Sequence, residues 1–228
     1  MKYLVGSLKK ILSLLVLTFF SIGTQAQEAL FWNDIQAFKK QDSLIAPSPG
    51  AILFIGSSSF TNWKDVQSYF PEYPIINRGF GGSTLKDVIY YFDDVVKPYR
   101  PKQVIIYCGE NDLAESGETT SAETVFTRFK QLYTLLREEL GDLDIAYVSI
   151  KPSPSRQHLM PKMIEANRLI HNFIEEEENT VFIDVFSKML DRDGMPKEEI
   201  FVADRLHLNE KGYLIWKKEI APVFKSWK

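Results

Sequence analysis

The strongest constraint in the sequence is a set of five short apolar runs spaced along the chain. They are AILFIG (51–56), YPIINRG (73–79), QVIIYCG (103–109), DIAYVSI (144–150) and TVFIDV (180–185). Each is rich in Val, Ile, Phe or Tyr, and most are continuous rather than alternating. A strand wet on one face alternates, whereas a strand covered on both faces does not. The runs therefore read as buried strands, and the intervals between them supply the covers. In 84–97, Leu85, Val88, Ile89, Phe92 and Val96 recur at helical spacing behind a cap at Ser83. In 121–140, Val125, Phe129, Leu132, Leu136 and Leu140 do the same behind Thr120 and Glu123, a capping-box pattern. Residues 161–178 carry Met163, Ile164, Leu169, Ile170, Phe173 and Ile174, and end in an acidic run that reads as a solvated helix end. A last helix starts near Asn209, and a shorter one spans 28–42. Strands alternating with helices give an α/β domain with a mostly parallel sheet and right-handed crossovers.

Residues 1–26 stand apart. Lys2, Lys9 and Lys10 precede the apolar run ILSLLVLTFFSIG and the small-residue end TQA. That order is the order of a secretory signal peptide, with Thr24 and Ala26 at −3 and −1 and cleavage before Gln27. The alternative, a membrane anchor, needs roughly 20 apolar residues to span a bilayer, and this run is shorter. The expectation is a secreted or periplasmic protein with residues 27–228 as a single domain and no stable membrane span. The only cysteine, Cys108, excludes an intramolecular disulfide and reads as a buried small hydrophobe. A net charge of −3 gives no ground for a nucleic-acid partner. His158, His171 and His207 lack ligand-like spacing, and DRDG (191–194) lacks the later ligands of a calcium loop, so no metal is expected.

In an open parallel sheet, ligands bind beyond the carboxyl ends of the strands. Four polar clusters fall there: Ser57, Ser58 and Ser59; the glycine turn NRGFGGS (77–83); GEND (109–112); and ADRLHLN (203–209). A serine hydroxyl is a weak nucleophile and needs a base within reach, which in turn needs an orienting group. Histidine suits that work near neutral pH. Asp204 and His207, three residues apart, let a carboxylate hold one ring nitrogen while the other points outward. Backbone N–H groups in a glycine turn and an asparagine amide are suitable donors for an oxyanion. Taken singly, each cluster reads as a turn or a helix cap. Together they point to acyl transfer. GFGGST also reads as a dinucleotide-binding turn, but Thr84 stands at the sixth position of that pattern and no acidic residue clearly ends the next strand.

These blocks resemble those of the SGNH hydrolases, also called GDSL esterases and lipases, over about Ile52 to Gly212. Gly56-Ser57-Ser58 is similar to that family's Gly-Asp-Ser, Asn77 and Gly82 to its second block, GEND to its Gly-x-Asn-Asp, and Asp204 with His207 to its Asp-x-x-His. The resemblance implies a three-layer α/β/α sandwich with a mostly parallel five-stranded sheet of flavodoxin-like type. It implies a serine esterase in which Ser58 is the nucleophile and His207 and Asp204 complete the proton relay. The N–H groups of Ser58 and Gly82 and the Asn111 side chain are then the oxyanion donors, and no cofactor is required. One departure is plain: Ser57 stands where the family usually has aspartate.

Phe60, Trp63, Phe80 and Leu113 flank the blocks and read either as an acyl pocket or as core. Arg78, Arg156 and His158 read as surface residues, and Asp112 as a loop support. An exported esterase with one helix, and no inserted cap, between the fourth and fifth strands suits small acyl groups, acetyl above all, on carbohydrates. The alternatives are a lipid esterase or thioesterase, and a non-catalytic carbohydrate-binding protein on the same fold.

Overall fold

The computed structural model describes residues 30–115 and 120–224. The expected signal peptide, 1–26, lies outside the described residues. The chain divides between Ile45 and Ala46 into two compact units. In the first, the described residues form one helix, α1 (Trp32–Leu44), closed by the Ile45 N–H donating to the Gln41 carbonyl at 2.9 Å.

The second unit is built on a five-stranded sheet: β1 (Ile52–Gly56), β2 (Ile75–Gly79), β3 (Gln103–Tyr107), β4 (Asp144–Val148) and β5 (Thr180–Ile183). The spatial order is β2-β1-β3-β4-β5, and every pairing is parallel. The continuous apolar runs have their explanation in the layers. Ile52, Phe54, Ile105, Tyr107, Ala146, Val148 and Ile183 point to one face. There they meet Phe60, Trp63, Phe70, Trp216 and Ile220 in one core. The alternate residues Leu53, Ile55, Val104, Ile106, Ile145 and Tyr147 are just as buried. Their side is covered by helices that bury Val125, Phe129, Leu132, Leu136, Met163 and Ile170, and the Phe129 and Tyr147 rings lie 4.8 Å apart.

Between the strands lie α2 (Ser58–Thr61), α3 (Val66–Tyr69), α4 (Leu85–Tyr90), α5 (Phe92–Val95), α6 (Glu110–Ala114), α7 (Ala122–Leu140) and α8 (Met160–Glu175), and α9 (Glu210–Ile220) follows β5. The expected single helix over 84–97 is two. The backbone breaks at Tyr91 (φ −92°, ψ 16°), yet Leu85, Val88, Phe92 and Val95 all stay buried, so the apolar period survives the break. The cap of α4 also lies one residue later than Ser83. The Asp87 carboxylate accepts from both the Thr84 N–H (2.9 Å) and the Thr84 hydroxyl (2.7 Å). For α7 the cap is Ser121, whose hydroxyl accepts from the Thr124 N–H at 3.2 Å, rather than Thr120. Cys108 is fully buried, as a small hydrophobe at the end of β3 should be.

In this strand order the chain leaves β1 toward β2 on one side and resumes at β3 on the other. The crevice over the carboxyl ends of β1 and β3 is thus the switch point where such sheets bind ligands. Gly56 makes the turn there. Its φ is +128°, and a Cβ would sit 1.9 Å from the Tyr107 carbonyl oxygen. Gly56→Ala therefore combines backbone strain with overlap against a paired strand. It is expected to destabilise the fold by about 2–6 kcal/mol, read as the shift of a urea unfolding midpoint. Among the described residues no helix is long and apolar enough to cross a membrane. Among the same residues no group of three or more His, Cys, Asp or Glu is placed to hold a metal ion.

Candidate active site

The three consecutive serines after β1 differ in environment. Ser57 is 4% exposed and Ser59 1% exposed, whereas Ser58, the first residue of α2, is half-buried. The turn is held hard. The Ser57 N–H donates to the Tyr107 carbonyl at 3.0 Å, and the Ser57 carbonyl accepts from the Phe60 and Thr61 N–H groups. From β2, Asn77 clamps the same helix. Its Nδ2 donates to the Phe60 carbonyl at 2.7 Å while its Oδ1 accepts from the Gly79 N–H at 3.0 Å. Gly79 has to be small, because a Cβ there would lie 2.7 Å from the Phe60 Cβ.

The loop ahead of α9 carries the partner groups. Arg205 takes a left-handed conformation (φ +59°), uncommon for a residue with a Cβ. The strain is braced by an ion pair from Arg205 to Glu198 and by the Ser155 N–H donating to the Arg205 carbonyl at 3.1 Å. The resulting turn aims both side chains. Asp204 Oδ1 accepts from the Leu206 and His207 N–H groups (2.8 and 2.9 Å), and its Oδ2 lies 2.6 Å from His207 Nδ1. His207 Nε2 lies 3.0 Å from Ser58 Oγ, bridging 149 positions of sequence. Partial burial works against the Asp204 charge, but the His207 and Leu206 N–H groups and the His207 ring outweigh it and hold the carboxyl at about 2. Asp204 is thus an anion at neutral pH, and its bond to Nδ1 favours the tautomer that leaves Nε2 free to accept. Such a chain can pass a proton from hydroxyl to imidazole.

The oxyanion side is assembled from the other two rim loops. The glycine turn after β2 is fastened to β1: the Phe80 N–H (2.9 Å) and the Ser83 hydroxyl (3.1 Å) both donate to the Gly56 carbonyl. This brings Gly81 against Ser58, with its Cβ direction 4.0 Å from the Ser58 Cβ, and puts Gly82 at φ +88°. Neither the Ser58 nor the Gly82 N–H has an acceptor among the described residues. Asn111, in α6, is brought to the same place. Its Nδ2 donates to Ser57 Oγ at 2.7 Å and to the Ser83 carbonyl at 3.1 Å. The hydroxyl at position 57 therefore receives the Asn111 amide, and an incoming oxyanion has to share or take that hydrogen bond.

Two of the sequence expectations are corrected here. Phe60, Trp63 and Phe80 are fully buried and Leu113 is 4% exposed, so none lines an open acyl pocket. Phe60 and Trp63 turn inward from the glycine-led turn and pack edge-on against Trp216 of α9, and Phe80 packs edge-on against Tyr91. Arg78 and Arg156 are not surface arginines. Arg78 is buried, donating Nε to the Tyr99 hydroxyl at 2.6 Å and Nη1 to the Asn77 carbonyl at 2.8 Å. Asp112 is a loop support as expected, accepting from the Leu85 N–H (3.0 Å) and from Arg128 (2.7 Å). His158 is exposed.

A sequence profile of the GDSL-like Lipase/Acylhydrolase family matches residues 42–215. The chain belongs to this family. No curated protein sequence matches the chain. Among solved structures, a candidate acylhydrolase of Bacteroides fragilis has a TM-score of 0.72 at 20% identity, covering 84% of this chain and 95% of its own. A GDSL-like lipase of Bacteroides thetaiotaomicron has 0.69 at 18% identity, covering 82% and 95%. A catalytic mutant of an acetylxylan esterase of Geobacillus stearothermophilus has 0.61 at 16%, covering 78% and 96%. At these identities the likeness is one of fold: the five-stranded parallel sheet flanked by helices is the fold of the GDSL-like acylhydrolases.

The same rim carries a buried charge cluster, Glu110 with Lys151 and Arg156, that the sequence pattern does not join. Glu110, 6% exposed, accepts from Lys151 Nζ at 2.8 Å and from the Tyr107 hydroxyl at 2.5 Å. Its second oxygen lies 3.1 Å from Arg156 Nη1, an ion pair without hydrogen-bond alignment. Burial works against the Glu110 charge, but Lys151 and Arg156 outweigh it and hold the carboxyl below its ordinary range. The same burial pulls Lys151, 1% exposed, below the ordinary lysine value despite Glu110. The available signal was Lys151 itself, a charged residue just past the end of β4 on the same rim.

Proposed function

We propose that the protein is an exported serine esterase that removes short acyl groups, acetyl above all, from carbohydrates. The observation that carries the serine mechanism is the continuous chain Ser58 Oγ–His207 Nε2–Asp204, at 3.0 and 2.6 Å, inside an acylhydrolase fold. Ser58 Oγ attacks the ester carbonyl carbon as His207 Nε2 takes its proton. The carbonyl oxygen, now an anion, receives hydrogen bonds from the Ser58 and Gly82 N–H groups and from Asn111 Nδ2, which yields Ser57 Oγ. The imidazolium gives its proton to the leaving alcohol, and the acyl group stays on Ser58. Water, deprotonated by the same imidazole, then repeats the sequence and releases the acid. Asp204 keeps the imidazole oriented and offsets its charge in both halves.

The substrate class rests on two supports. The connection from β4 to β5 holds α8 and a short 3-10 turn (Pro154–Leu159), with no cap inserted over the rim. Structures sharing the fold include acetylxylan esterases. Export rests on the signal-peptide order of residues 1–26. A fluorophosphonate probe is expected to label the wild-type protein at Ser58, and hydrolysis of p-nitrophenyl esters to fall steeply from C2 to C8. Absence of labelling would favour a carbohydrate-binding protein, and a preference for C8 or longer would favour a lipid esterase.

A further inference from the structure

Asn111 is the only proposed oxyanion donor that is a side-chain amide, and an amide can sit either way round. Turned by half a rotation, it would present its oxygen to the oxyanion and repel it. On the Nδ2 side the Ser57 hydroxyl can donate as well as accept and selects loosely, whereas the Ser83 carbonyl at 3.1 Å can only accept and favours the nitrogen. The Oδ1 end is selected strictly. It faces Arg156 Nη1 at 3.0 Å, and a guanidinium has donors only. A flipped Asn111 would put N–H against N–H there.

Arg156 is itself fixed. Its side chain is 21% exposed and is ion-paired to Glu110, which is held from beneath by the buried Lys151 and Tyr107. The segment that carries it is tied to the Asp204–His207 turn through the Ser155 N–H and the Arg205 carbonyl. Burying charges in this way is costly, and as a stability device an apolar cluster of the same volume would generally do as well. The arrangement has a use at its other end, where it terminates on Asn111. We propose that Arg156 is a positioning residue: from the Oδ1 side, opposite the Ser83 carbonyl, it holds the Asn111 amide with Nδ2 toward the oxyanion and polarises it through Oδ1. The proposal rests on the reading of Asn111 as an oxyanion donor.

The test is a double-mutant cycle on p-nitrophenyl acetate with the full mature chain. Asn111→Ala alone is expected to lower kcat about 10²–10³-fold. Arg156→Ala is expected to lower kcat about 10–100-fold with KM changed less than about threefold, since only transition-state donation is lost. On the Asn111→Ala background, Arg156→Ala should cost less than about twofold more, because its target is gone. Guanidinium ion at sub-denaturing concentration should restore part of the activity of Arg156→Ala and none of that of the double variant. Independent, multiplicative losses would overturn the proposal while leaving the esterase reading intact, as would an unchanged kcat in Arg156→Ala. An unchanged kcat in Asn111→Ala would instead remove the oxyanion reading on which it rests. Should Arg156→Ala fail to give the wild-type circular dichroism and melting curve, Arg156→Gln carries the test. A neutral amide, which can turn an acceptor as well as a donor toward Oδ1, should lose about 3–10-fold in kcat at constant KM, and full activity would overturn the proposal.

Discussion

Ser58→Ala is expected to lower hydrolysis of p-nitrophenyl acetate by about 10⁴–10⁶-fold with the melting temperature unchanged. The size follows from the unit nature of such a chain: without the nucleophile, the imidazole and its carboxylate have no proton to take. The stability expectation follows from the position. Ser58 is half-buried at the start of α2, and among the described residues its hydroxyl bonds only to His207, so removing Oγ opens no core cavity. The neighbouring Ser59 makes an internal control. Ser59, 1% exposed, has no bond to His207, and Ser59→Ala should keep the chemistry. Rates measured as kcat/KM on all three proteins settle the matter. A Ser58→Ala variant with wild-type turnover would remove the serine mechanism, and equal losses in Ser58→Ala and Ser59→Ala would point to damage of the loop rather than to a nucleophile.

The sheet was open to reading because burial on both faces leaves a mark in sequence. AILFIG became β1 almost residue for residue, and QVIIYCG became β3, since a strand with no wet face has no polar position. The rim residues were open to reading for a related reason: the ends of parallel strands converge, so polar clusters after different strands meet. His207 and Ser58 come together across 149 positions because the loop ahead of α9 returns to that rim from β5, with Trp216 of α9 packed on Phe60. What escaped has equally physical causes. The break at Tyr91 left no trace, because the buried positions keep their spacing across it. The inward turn of Phe60 and Trp63 depends on the path that Gly56 allows, which nearness to a motif does not reveal. The Lys151–Glu110–Arg156 cluster is made of single charged residues just past β4, at the start of α6 and in a short 3-10 turn, and these carry no period. Only sheet adjacency of β3 and β4 brings Glu110 to Lys151, 41 positions away.

Asp204→Asn is expected to cost about 10⁴-fold in kcat/KM, although the new side chain has nearly the same shape. Asp204 makes three contacts, and only one tells carboxylate from amide. The Leu206 and His207 N–H groups can still donate to an amide oxygen. The amide then places its NH₂ opposite His207 Nδ1, at the position now 2.6 Å from Oδ2. Two N–H groups cannot face each other, so the imidazole shifts its proton to Nε2. That nitrogen then points a donor at Ser58 Oγ and can no longer accept its proton. The effect on stability has a pH signature whose sign is set by the depressed carboxyl. A group at about 2 in the folded chain, against a reference of 3.8, contributes stability that is present above the reference value and lost as pH falls through the folded one. In urea unfolding, the deficit of Asp204→Asn relative to wild type should therefore shrink as pH falls from about 4 toward 2. A deficit that instead grew between about pH 4 and 2 would mean that the His207 contacts do not hold the carboxylate in its charged form, and wild-type kcat/KM in Asp204→Asn would remove it from the relay.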